Sequence, residues 1–139
     1  MRYLVRARVK PGREADLLAA IGAGTMGVGS VAGGEYLRNM TDARLCDDGK
    51  ARWVEVCFCA EPLAEERPYW EKYLELEKVQ EAHPRKKCRD ETGETPWACG
   101  DCDCTAKLER QMQGWGTPFL EALRRTAAAA PARRNSATQ

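Results

Sequence analysis

Residues 51–60, ARWVEVCFCA, alternate in two sets and constrain the chain more than any other stretch. On a strand, Val54, Val56, Phe58 and Ala60 share one face, and Trp53, Glu55, Cys57 and Cys59 share the other. Just ahead lies Asp47-Asp48-Gly49, a hairpin turn signal, because glycine tolerates the positive φ that tight primed turns demand. A short strand over 43–46 is therefore expected to pair with the longer one, which commits the chain to a sheet.

The remaining elements follow from period and punctuation. Tyr3, Val5, Ala7 and Val9 alternate with Leu4, Arg6, Arg8 and Lys10, so a first strand runs to the break at Pro11-Gly12. Leu17, Leu18 and Ile21 make the apolar stripe of a helix over about 13–21. Residues 22–34 hold six glycines and read as an irregular connection. Residues 35–42 fit either helix or strand. A long helix is expected from near Pro62 or Pro68 to about His83, with Tyr69, Tyr73, Leu76 and Val79 as one stripe, and Pro84 ends it. A short last strand around Cys88 and a cysteine-rich segment, 96–104, come next. Short helices are expected over 105–113 and over 118–125, the latter with Thr117 as N-cap and Pro118 at the first helical position.

This order, strand, helix, hairpin, helix, strand, is an α+β pattern: a ferredoxin-like βαββαβ core with a cysteine-rich C-terminal extension and short helices. One domain is expected over 1–125, its core at about 2–90 and its extension at 88–125, with a disordered tail over 126–139. The opening MRYLVRARVKPGREADLLAAI, a strand entering a Pro-Gly turn and then a helix, resembles small bacterial proteins of the dimeric α/β-barrel superfamily. The resemblance covers about residues 2–83. It implies two sheets packed face to face in a homodimer with a cavity between them, and it carries over no functional residues. In that arrangement Val54, Val56 and Phe58 would meet the helices, while Trp53, Glu55, Cys57 and Cys59 would line the cavity.

Charge narrows the partners. With 22 Lys+Arg against 21 Asp+Glu, the chain lacks the basic excess of an electrostatic nucleic-acid binder. No apolar run approaches the ~20 residues of a membrane helix, and the N-terminus lacks an apolar signal core, so a cytoplasmic protein is expected. In that reducing compartment seven cysteines point to metal or redox chemistry rather than to disulfides.

Three of the seven form a motif, Cys99-x2-Cys102-x-Cys104, and Cys88 precedes it by eleven residues. A Cys-x2-Cys turn lets two thiolates reach one tetrahedral ion. Cys104 also lies just before an expected helix N-terminus, where a thiolate is favoured. The expected ligands are Cys88, Cys99, Cys102 and Cys104, with His83, the lone histidine, as a further candidate. Zn²⁺ ranks first, ahead of an iron–sulfur cluster or Cu(I). The other readings are unliganded surface thiols or a Cys99–Cys102 redox pair.

Cys57 and Cys59 share a strand face with Glu55 and are the catalytic candidates. Their bland alternative is that they are small core residues. Cys46, before the turn, reads as a structural or exposed thiol. Gly22-Ala23-Gly24-Thr25-Met26-Gly27 matches G-x-G-x-x-G and looks like the nucleotide-binding fingerprint of 3-hydroxyacyl-CoA dehydrogenases. That fingerprint needs a strand before it and a helix after it, whereas here an amphipathic helix precedes it and glycines follow. The cluster Glu61, Glu65, Glu66, Arg67, Glu71 and Lys72 reads as a solvated helix face. The expected function is a small metal-binding protein with a mainly structural zinc site. The alternatives are a cysteine-dependent redox or metal-catalytic enzyme and a thiol-rich metal-handling protein.

Overall fold

Strand β1 (Arg2–Val9) lies inside an antiparallel sheet in a computed structural model that describes residues 1–89, 91, 93 and 103–129. In chain order the other elements are α1 (Glu14–Ala23), α2 (Glu35–Asp42), β2 (Arg44–Leu45), β3 (Ala51–Val56), α3 (Arg67–Trp70), β4 (Leu74–Glu81), α4 (Ala106–Met112), β5 (Thr117–Pro118) and α5 (Phe119–Ala129). The fold is α+β, and its five strands run in the order β4-β1-β3-β2-β5. On one side of β1, Tyr3 faces Glu55 and Val5 faces Trp53; on the other, Val5 faces Val79 and Val9 faces Leu74. The turn at Asp47-Asp48-Gly49 joins β2 to β3 as expected, with Gly49 at φ 78°.

The core lies on the Tyr3, Val5, Ala7 face of β1, and this corrects the expected facing of β3. Ala51, Trp53, Glu55 and Cys57 are buried, while Val54 and Val56 are only half-buried and Phe58 is 50% exposed. Ring packing explains the choice. Trp70 of α3 stacks on Trp53 at 4.8 Å between centroids and on Tyr36 of α2 at 4.9 Å. Three large aromatic side chains bury more apolar surface than two valines, so they set which face turns inward. Gly27 packs against the same cluster: it has φ 73°, and a Cβ there would fall 2.2 Å from the Tyr36 ring. Leu17, Ala20 and Ile21 of α1 and Phe119, Leu123 and Ala127 of α5 are buried, and the two helices pack together.

Three further expectations are corrected. The long helix reduces to the four residues of α3, and Leu74–Glu81 is a strand. The register of β4 on β1 shifts between Arg6 and Ala7, so the half-buried Leu76 and Val79 stand three apart and imitate helical spacing. Around Cys88 there is a 3-10 turn, Arg85–Lys87, in place of a last strand. Residues 126–129, expected in the tail, continue α5 with Ala127 buried. The glycine run follows α1 through the left-handed Gly24, so it does not join a strand to a helix. Among the described residues, no helix is long and apolar enough to cross a membrane.

Candidate metal centres

Cys57 directly follows β3, and its N–H still bonds the Met1 carbonyl at 2.9 Å. Ala82 directly follows β4, and its N–H bonds the Arg2 carbonyl at 2.8 Å. Both strands therefore end beside the start of β1, and the donors that follow them gather at that end of the sheet. They form two groups, Cys57–Cys59–Glu66 and His83–Cys88–Cys104, each with its ligand atoms within 4.8 Å of one another. Tetrahedral zinc with Zn–S of about 2.3 Å and Zn–O of about 2.0 Å sets its sulfurs about 3.8 Å apart, and sulfur and oxygen about 3.5 Å apart.

His83 and Cys88 stand on either side of the 3-10 turn. Pro84, with φ −63°, keeps His83 out of a helix, and the Cys88 N–H closes the turn on the Arg85 carbonyl at 3.1 Å. Cys104 arrives from just before α4. Its sulfur lies 3.9 Å from Cys88 Sγ, close to the separation of two thiolates on one ion. Among the contacts that hold the approach, Arg89 pairs with Asp103 at 2.7 Å and Arg2 donates to Thr105 Oγ1 at 2.8 Å. Cys88 is buried; Cys104 and His83 are half-buried. Cys99 and Cys102 lie outside the described residues, so of the expected ligands the structure brings together Cys88, Cys104 and His83.

The second group forms over a short loop. Cys57 is 1% exposed and Glu66 5%, while Cys59 is half-buried. The Cys57 thiol donates to Glu66 Oε2 at 3.4 Å, the Cys59 thiol lies 4.0 Å from the same oxygen, and the Cys59 N–H donates to Cys57 Sγ at 3.3 Å. Between Cys59 and Glu66, Leu63 is fully buried at φ 58°, a conformation that costs a branched side chain energy and persists only where packing imposes it. Burial pushes the Cys57 thiol up to about 12, despite the amide of Cys59. A thiol so held is a poor nucleophile by itself.

Glu55, expected beside the two cysteines, serves elsewhere. It is 2% exposed, and its carboxyl accepts Trp53 Nε1 at 2.8 Å and Trp70 Nε1 at 3.1 Å. Burial raises its pKa to about 7, against the two indole donors, which favour the ionised form. Its place beside the cysteines is taken by Glu66, expected on a solvated helix face. A Cys-x-Cys leaving a strand, followed by acidic residues ahead of a short helix, was the available signal. It did not separate Glu66 from Glu61 or Glu65. Cys46 stays apart in the β2–β3 turn, and the five cysteines among the described residues are thiols rather than disulfides.

Among the described residues, cysteine, histidine and glutamate groups that could hold a metal ion therefore form two sets without a common member. Comparison with protein-family models, with curated proteins and with solved structures gives no match for this chain.

Proposed function

We propose that this chain is a metal-binding protein whose zinc ion is held by Cys88, Cys104 and His83, with a thiol from Cys99 or Cys102 as fourth donor. One observation carries the reading: donors from both sides of the Pro84 turn and from a segment sixteen residues past Cys88 meet within 4.8 Å. A mixed imidazole and thiolate set favours zinc over an iron–sulfur cluster or Cu(I). Four protein donors leave no open position, which makes the role structural. The ion would close the segment 88–104 onto the end of the sheet, so binding energy becomes folding energy there. The order β1–α1–α2–β2–β3–α3–β4, with β1 between β3 and β4, supports a ferredoxin-like core to which α4, β5 and α5 are additions. A cytoplasmic setting, where thiols are kept reduced, would suit such a cysteine-rich metal site.

Elemental analysis of anaerobically purified protein tests this, together with a C88S/C104S variant. Zinc in the wild type, its loss from this group in the variant and a chelator-induced fall in thermal stability are expected. A metal-free protein whose melting ignores chelator overturns the reading.

A further inference from the structure

Glu66 is a buried carboxylate, and among the described residues no lysine or arginine pairs with it. Among the described residues, its carboxylate meets the thiols of Cys57 and Cys59. A buried carboxylate is costly unless a cation or strong donors meet it, and a thiol is a weak donor. The spacings fit a missing cation. Cys57 Sγ and Cys59 Sγ lie 3.4 and 4.0 Å from Glu66 Oε2, bracketing the roughly 3.5 Å between sulfur and oxygen on one zinc ion.

We infer that Cys57, Cys59 and Glu66 form a second metal site, separate from the first, that takes a zinc-class divalent ion and leaves one coordination position to solvent. The chain around it is already in place. The Glu66 carbonyl accepts the Tyr69 N–H at 3.0 Å and the Trp70 N–H at 3.1 Å, which fixes the Glu66 backbone at the start of α3. The Cys59 N–H points at Cys57 Sγ and supports it as a thiolate. Half-buried Cys59, beside exposed Phe58, gives the side from which a hydrated ion enters. Two S–H bonds break, two metal–sulfur bonds form and two protons pass to solvent; no electrons are transferred. Three protein donors with a fourth position for water is the donor count of a Lewis-acid centre, in contrast to the closed set proposed above.

The test is Zn²⁺ titration of the reduced, metal-stripped full chain in competition with a chromophoric chelator. Wild type is expected to take two ions. E66Q keeps the volume and an acceptor oxygen; it is expected to weaken one ion at least about tenfold and leave the other unchanged. C88S/C104S is expected to retain the E66Q-sensitive ion. Zn²⁺ should also shield Cys59 from alkylation in the folded wild type, read by mass spectrometry, which needs no variant. Unchanged affinities in E66Q, or equal alkylation of Cys59 with and without Zn²⁺, overturn the inference. If only the first site fails, the wild type binds a single ion that E66Q weakens and C88S/C104S does not affect.

Discussion

The two donor groups sit at the same end of one sheet, yet the fold builds them in opposite ways. Cys57, Cys59 and Glu66 span ten residues, and the loop between them is pinned by buried Leu63 and by the Trp70 stack. Cys88 and Cys104 are sixteen residues apart, and their segments meet through the largely exposed Arg89–Asp103 pair and the Arg2–Thr105 bond. An exposed ion pair contributes little, so on the proposed reading the ion at His83–Cys88–Cys104 would help close that loop. Cys57–Cys59–Glu66 instead inherits its geometry from the aromatic core. On the proposed reading, one site is therefore organised before metal arrives, and the other by its arrival.

The largest test of that contrast is Trp70→Ala. The indole touches Trp53 and Tyr36 and donates to Glu55, so its loss opens a cavity and removes a buried donor together. Removal of a buried Trp side chain costs about 3–5 kcal/mol. Urea unfolding should show that loss, and zinc affinity should fall at Cys57–Cys59–Glu66 while His83–Cys88–Cys104 keeps its own. Equal weakening at both groups would break the contrast.

Glu55 supplies the next effect, through pH. Its folded pKa of about 7 stands above the ordinary 4.5, so the folded state prefers the protonated carboxyl. The associated stability is fully present below about pH 4.5 and is lost as pH rises through about 7. The total is on the order of 3 kcal/mol. In metal-free protein, denaturant unfolding between pH 4.5 and 8 should show this decline, and Glu55→Gln should flatten it. Amide exchange should accelerate first around β3 and α3, where Trp53 and Trp70 hold the carboxyl, and not at the Pro84 turn. A wild-type profile as flat as that of the variant would remove Glu55 from the account.

Local signals carried much of the architecture. Alternation located β1 and β3, Asp47-Asp48-Gly49 located their hairpin partner, and helical spacing located α1 within two residues of its end. The failures have identifiable causes. In β4 the register shift conceals period two, and the same Leu76 and Val79 then satisfy a helical template. In β3 the inward face contains a glutamate. Its burial depends on Trp70, fifteen residues away, which no period within the strand reveals. The site was partly legible for the same reason. Cys57 and Cys59 are linked by strand geometry, and Cys88 and Cys104 by composition. Glu66 is brought to its cysteines by a short loop, and His83, a candidate as the lone histidine, by the end of β4.

The smallest effect concerns Thr105, the residue next to Cys104. Its side chain is buried; Oγ1 accepts from Arg2 at 2.8 Å and donates to Glu109 Oε2 at 3.1 Å. Thr105→Val keeps the shape and removes both bonds, which costs about 1–2 kcal/mol. Because that contact anchors the start of α4 to β1, the variant should loosen zinc at His83–Cys88–Cys104 by a few-fold and leave Cys57–Cys59–Glu66 untouched. Thr105→Ser, which retains the hydroxyl, should restore the affinity. A valine variant with unaltered zinc binding would mean that Cys104 is positioned without the Arg2 anchor, and the closing of that loop would then rest on the ion alone.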